Sequence, residues 1–504
     1  MITALILIVA LAVLGWGFYR ARPFGKLGIL AWLQSVVLMF PWLAFFGLFA
    51  FGIYLNLAGV LFLLLTSIAL YIVLGRQVRA VAEQEGKKLA PLTRAAVAPS
   101  EPTEASATES PQISETQSKE TPAETSPNRL TLELPQMPAE DLQAVKGIFG
   151  IDTFFATETI PYQNGVIFKG NLRGDPEQSH AQLTTLLQER LGDRYRLFLV
   201  EGVEDKPVVV VLPTANDPKP TTLAQKILAL ILALATVATC LEVGGLMQGF
   251  DFFSEPNRFA EVWPIGVGII AVLAAHEMGH RLLARRYGIQ LSPPFFIPTW
   301  QIGSFGSLMR FESVLPNRSV LFDIAFAGPA AGGLIAFGML IVGLLLSKPG
   351  SFFQVPTEFF QGSILVGTLA RVVLGDAVQA AIVDVHPLVI LGWLGLVITA
   401  INLMPAGQLD GGRIVQAIYG RKTAGRTTVA TLIVLGLAAL VNPLSLYWAI
   451  VILFLQRDLE RPALNELSEP DDARAALGIL ILFLMAATLL PLTPSLAGRL
   501  GIGG

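Results

Sequence analysis

One short stretch concentrates the residues that can do chemistry. Within the apolar run that begins at Ala271, the order is His276-Glu277-Met278-Gly279-His280-Arg281. Two histidines four residues apart lie on one face of a helix, about one turn from each other. That spacing lets both imidazoles grip one zinc ion. It also puts Glu277 beside them, able to take a proton from an attacking water. Only four histidines exist among the 504 residues: His180, His276, His280 and His386. With so few, the motif is expected by chance only about 0.002 times in a chain of this kind. The plain alternative is a helix end whose polar residues face the membrane interface, and the apolar run before His276 weakens it.

A catalytic zinc needs a third protein ligand and an open position for water. The single cysteine, Cys240, rules out an intramolecular disulfide and any cysteine-based metal cluster. Two candidates remain. His386 precedes Pro387 and is expected on the far side of the bilayer from His276. Asp410 lies in Asn402-Leu403-Met404-Pro405-Ala406-Gly407-Gln408-Leu409-Asp410-Gly411-Gly412-Arg413. Pro405 and Gly407 should break a helix there, leaving polar backbone that must be buried in protein or line a wet cavity. Asp410 follows the break on the cytoplasmic side, as does His276. Taken alone, it reads equally well as a helix N-cap or turn carboxylate.

These residues must be positioned by membrane spans. Hydrophobic residues make up 53% of the chain and charged residues only 14%, with a mean hydropathy of +0.61. An ordinary soluble protein carries about 25% charge, and single soluble cores stop growing near about 250–300 residues. The chain is therefore a polytopic α-helical membrane protein. A net charge of −3 offers no basic field for nucleic acid. Residues 1–76 read as about three spans, starting with an uncleaved helix over Met1–Tyr19. Lys26 and the group Arg76, Arg79, Lys87 and Lys88 mark the cytoplasmic side. Further candidate spans are Thr222–Gly244, Ile265–Leu283, Val320–Leu346, Leu388–Met404, Thr427–Leu455 (broken at Asn442-Pro443) and Ala475–Leu490. Ser363–Val385, interrupted by Arg371, Asp376 and Asp384, is ambiguous and reads as an amphipathic or interfacial helix. The total is about nine spans.

Residues 77–129 form a linker whose acidic part, Val97 to Asn128, is rich in Glu, Ser, Thr and Pro and has no aromatic residue. It is expected to be disordered. Residues 130–215 read as a small soluble α+β domain in the order helix, strand, strand, helix, strand, strand. The charge pattern makes it cytoplasmic. It shows no nucleophile–base pair and no phosphate loop, and His180 reads as a surface residue of its second helix. A regulatory or gating role is the natural expectation. Residues 222–491 are the catalytic membrane core.

The HExxH motif followed by Asn402-x-x-Pro405 and Leu409-Asp410-Gly411 resembles the site-2 protease family of intramembrane zinc metalloproteases. The resemblance implies one zinc per chain, bound by His276, His280 and Asp410, with Glu277 as general base. It matches Asn402 to a residue that positions substrate or stabilises the oxyanion. More narrowly, Gly165–Gly174, Phe326-Ala327-Gly328-Pro329 and Pro405–Arg413 are similar to the cyanobacterial and plastid branch, whose plant members are named ethylene-dependent gravitropism-deficient and yellow-green proteins. Where the family often carries a second proline, this chain has Gly407. Ile297–Val314, with Pro293, Pro294 and Pro298 against a helix, then reads as a small sheet beside the zinc. A substrate segment could add to its edge as a strand. Gly328, Gly332 and Gly333 are expected to let helices pack closely.

The implied activity is hydrolysis of peptide bonds within or near the spans of membrane-anchored proteins, such as a single-span regulator. The implied setting is a lipid bilayer: a bacterial inner membrane, or a thylakoid membrane. Two other classes compete. A catalytically silent chaperone or scaffold would lack part of the motif, yet His276, His280, Asp410 and Glu277 are all present. A metal transporter would need more intramembrane histidines and carboxylates than this chain has.

Overall fold

The computed structural model describes residues 137–503 except 163 and 203–205, most of 14–50, and some positions between 63 and 78. Most of Met1–Tyr19 and all of Val97–Asn128 lie outside the described residues, so neither the first expected span nor the acidic stretch is described. Two compact units result, 1–128 and 129–504. In the first, helix α1 (Gly25–Ala50) carries Lys26 as its only charge. The Trp32 indole donates to Leu14 O at 3.1 Å, and Gln34 reaches Tyr71 O at 3.5 Å.

The second unit begins with a small α+β layer. Helix α2 (Ala139–Lys146) is followed by β1 (Phe154–Tyr162), β2 (Gly165–Leu172), α3 (Pro176–Leu191), β3 (Tyr195–Glu201) and β4 (Pro207–Pro213). The sheet is antiparallel throughout, in the order β1-β2-β4-β3. Alternation sorts its residues. Phe168, Leu197, Leu199, Val209 and Val211 are buried with Leu183 and Leu187 of α3. The opposite face, with Ile167, Phe198, Val200, Val208 and Val210, lines an apolar groove of about 360 Å³ against residues 311–315 and 460–462. His180 is half-buried, with Nε2 3.2 Å from Leu197 O, so it is tied to β3 rather than left on the surface.

The helical bundle follows: α4 (Leu223–Leu246), α5 (Phe259–Arg286), α6 (Arg318–Leu346), α7 (Ile364–Leu374), α8 (Pro387–Asn402), α9 (Asp410–Ala438), α10 (Pro443–Val451), α11 (Asp472–Leu489) and α12 (Pro494–Leu500). Among the described residues, four helices are long and apolar enough to cross a membrane: Leu223–Leu246, Pro256–Arg286, Arg318–Leu346 and Asp472–Leu489. Pro387–Asn402 and Leu444–Gln456 are shorter apolar helices. Two causes shorten expected spans. Asn442 caps α10 at Leu444 N, so the Thr427–Leu455 stretch divides. Pro405 and Gly407 end α8 early. The ambiguous Ser363–Val385 holds α7, a short turn and strand β8 (Ile382–Val385), which pairs with β7 (Phe353–Pro356).

Between α5 and α6 lies a hairpin, β5 (Phe295–Thr299) and β6 (Gly303–Leu308). A strap at residues 464–466 joins the α+β layer to the bundle. Leu199 N donates to Leu464 O (2.7 Å) and Glu466 N to Leu199 O (2.9 Å), while Leu464 N donates to Leu315 O (2.8 Å). The layer and the bundle therefore belong to one unit, although the amino-acid pattern divides them.

Candidate active site

Helix α5 buries Glu277 and His280, with His276 half-buried, where α6 packs closely against it. Its neighbour α6 approaches closely at Gly328, where a Cβ would lie 2.1 Å from His280 Nε2. Only glycine leaves room for that imidazole. His280 is 1% exposed, and its Nδ1 lies 2.7 Å from Ile324 O. A backbone carbonyl can only accept, so Nδ1 carries the proton and Nε2 presents its lone pair.

Asp410 arrives from a different part of the chain. After α8, residues Leu403–Leu409 turn back so that α9 starts at Asp410, with the favourable partial charge of a helix N-terminus around its carboxylate. Gly407 has φ +47° and packs against the Gln456 carbonyl, 1.6 Å from where a Cβ would stand. Proline, locked near φ of about −65°, cannot take this conformation, so the departure from the family pattern has a local structural reason.

The three groups converge. His276 Nε2 lies 3.0 Å from Asp410 Oδ2 and 3.1 Å from His280 Nε2, and His280 Nε2 lies 3.5 Å from Asp410 Oδ2. Among the described residues this is the cluster of histidine, cysteine and carboxylate groups able to hold a metal. Ligand atoms of a tetrahedral zinc with bonds of about 2.0–2.1 Å stand about 3.3 Å apart. The observed triangle fits that spacing, and two imidazoles with one carboxylate are a donor set that zinc accepts.

Glu277 is 7% exposed. Its Oε1 accepts a hydrogen bond from Ser307 Oγ of β6. Its Oε2 has no hydrogen-bond partner, and Arg281 Nη2 is 3.9 Å away. Two small cavities of about 10 Å³ each meet at Glu277, Ser307 and Asn402, and His276 borders one while His280 and Asp410 border the other. Each has room for about one water molecule. Glu277 thus lines both of the small spaces that border the ligand triangle and that water can fill.

Asn402 is buried at the end of α8. Its Nδ2 donates to Ile398 O (2.8 Å) and to Phe305 O of β6 (2.9 Å). Both amide protons are committed, so in this conformation Asn402 holds the strand and has no proton left for an oxyanion. His386 is not brought to the site. It caps the opposite end of α8, with Nδ1 accepting from Leu388 N at 3.3 Å, about 24 Å along the helix from Asn402. Cys240 is buried in an apolar cluster. Sequence reasoning missed Ser307, because a serine in a strand carries no distinguishing pattern. Gly332 packs against His276, whereas Gly333 meets only Thr399 at an ordinary 3.6 Å.

A two-histidine, one-carboxylate cluster beside a buried glutamate, set among helices of membrane length, defines a membrane-embedded zinc metalloprotease. Residues 265–442 match the peptidase family M50, and residues 143–219 match the EGY3 middle domain. The chain is similar to the probable zinc metalloprotease EGY1, chloroplastic, of Oryza sativa subsp. japonica. They are 39% identical over 402 residues, which is 72% of this chain and 69% of that protein. EGY1 of Arabidopsis thaliana, also a probable zinc metalloprotease, is 38% identical over 72% of this chain and 73% of its own length. EGY2 of the same plant is 40% identical over 71% and 66%, respectively. No solved structure matches. The chain belongs to peptidase family M50, the site-2 protease family, and is a zinc metalloprotease.

Proposed function

We propose that this protein hydrolyses peptide bonds within or near the membrane spans of anchored proteins, single-span regulators among them. The ligands are His276, His280 and Asp410, and Glu277 is the general base. A zinc ion held by these groups would supply Lewis acidity, lowering the pKa of a bound water toward about 7 and polarising a peptide carbonyl. Glu277 Oε2 takes the proton of the attacking water and later passes it to the leaving amine. Ser307 keeps the other oxygen in place. Asn402 serves substrate positioning through β6 rather than by donating to the oxyanion. A substrate segment that unwinds can add to the β5–β6 hairpin, exposing its peptide bond.

The observation that carries this reading is the buried Glu277, whose Oε2 has no hydrogen-bond donor and only the Arg281 guanidinium at 3.9 Å, in the pockets that border the ligand triangle. A buried carboxylate oxygen without a donor is unfavourable for stability alone, and a proton-accepting role explains it. Helices of membrane length around the site favour substrates that reach it within the bilayer. About nine spans, with three in residues 1–76 and the α+β layer on the cytoplasmic or stromal face, complete the architecture. The chloroplastic location in the relatives' names supports a thylakoid-type membrane.

The test is Glu277→Gln in the purified, zinc-loaded chain against a single-span test substrate. Zinc content should persist while kcat falls by about 10²–10⁴. Cleavage at the wild-type rate would remove Glu277 from this role.

A further inference from the structure

Arg413 stands three residues after Asp410, and the catalytic reading gives it no role. It is 2% exposed, among the largest fully buried side chains. Its Nε and Nη2 donate to Glu460 Oε2 at 3.0 and 2.8 Å, and Nη2 also donates to Met309 O at 2.8 Å. Nη1 lies 4.0 Å from Asp410 Oδ1. Glu460 is held in turn from α9, where Gln416 Oε1 accepts from Glu460 N and Gln416 Nε2 donates to Glu460 O, at 3.0 and 3.1 Å.

A buried ion pair is weak evidence for stability, because desolvation offsets much of the attraction and two apolar side chains often serve as well. An apolar pair could not bind the Met309 carbonyl, nor put a cation beside Asp410. Met309 directly follows β6, the strand that bonds Glu277 and Asn402. Guanidinium is suited to this task, since its planar fork serves several acceptors at once. Glu460 lies beyond residues 265–442, outside the stretch that matches the family.

Resting on the ligand reading above, we infer that Arg413, anchored by Glu460, is a positioning residue that holds the Asp410 carboxylate and the β6 backbone in one fixed relation. It touches neither metal nor substrate. It acts on zinc retention through Asp410 and on substrate placement through Met309 O.

The experiment measures zinc release to a chromogenic chelator, together with kcat, KM and Tm on a single-span test substrate, in the full-length chain. Four variants are compared: Asp410→Ala, Arg413→Lys, Glu460→Gln, and the double variant Arg413→Met with Glu460→Met. Asp410→Ala should hold no zinc; if it retains zinc as the wild type does, the ligand reading itself fails. With that control met, the double variant should fold with a Tm lowered by no more than one orphaned carbonyl costs, release zinc about 10–100-fold faster and show a raised KM. Arg413→Lys keeps the charge but loses the fork. It should release zinc about tenfold faster, and it decides the matter if the double variant does not fold. Wild-type zinc release and KM in folded Arg413→Lys, or in the folded double variant, would overturn the inference while leaving the ligands in place.

Discussion

Gly328→Ala is a one-methyl test of the whole site. The new Cβ would stand 2.1 Å from His280 Nε2 and 2.4 Å from Cε1, whereas ordinary contact begins at 3.4 Å. Ring or helix must therefore retreat by about 1.3 Å, while zinc ligands tolerate about 0.2 Å. The ring is anchored by its 2.7 Å contact with Ile324 O. Helix α6 is equally constrained, since the position of a Gly279 Cβ lies only 2.3 Å from Ala327 O. If the ring yields, one of three ligands is lost, a greater effect than the about 10–100-fold that follows removal of a ligand's hydrogen-bond partner. If the ring holds, overpacking costs about 1–3 kcal/mol. Gly333→Ala is the matched control. Its Cβ meets only Thr399 Cγ2 at 3.6 Å, and alanine in a helix gains up to about 1 kcal/mol over glycine. Metal analysis after chelator challenge, Tm and cleavage of a single-span test substrate read the result. A folded Gly328→Ala protein with one zinc per chain and wild-type kcat would refute the reasoning.

Further outcomes follow from the same geometry. Ser307→Ala should lower kcat by about tenfold to a hundredfold with zinc content and KM unchanged, and Ser307→Thr should restore much of it; an unchanged kcat would detach Ser307 from Glu277. His386→Gln should leave zinc content and kcat intact, because His386 caps the far end of α8; loss of zinc would contradict that placement. Burial holds the His180 imidazole below its ordinary range, against the opposing hydrogen bond to Leu197 O. The unfolded chain therefore binds the proton first, and the α+β layer should lose stability as pH falls below about 6.5, until pH passes the lower folded-state value. Hydrogen exchange of β3 amides at about pH 7.5 and about pH 5.5 measures this, and His180→Gln should flatten the dependence.

Local patterns made much of this legible. His276 and His280 share a face because helical periodicity places residues four apart together, and that requires no tertiary information. The runs Val166–Leu172, Tyr195–Val200 and Val208–Leu212 likewise announced strands by their β-branched and aromatic residues, while packing decided which faces turn inward. Span counting was less secure. Hydropathy registers apolar stretches, but whether a stretch forms one helix depends on caps such as Asn442 and breaks such as Pro405. The His180 contact was illegible for a related reason, since helical spacing cannot reveal that the Leu197 carbonyl lies across from this partly exposed residue.

Composition and spacing already set the class: too apolar for a soluble fold, with two of four histidines in one zinc motif and a second motif about 130 residues later. Tertiary structure decided which distant groups meet. Asp410 joins the histidines because a glycine-shaped turn reverses the chain after α8. Ser307 reaches Glu277, and Glu460 reaches Arg413, only because separate segments pack together. Short-range periodicity follows from backbone geometry and is written in neighbouring residues. Convergence across 30 to 134 positions depends on the packing of whole helices, which no local spacing encodes.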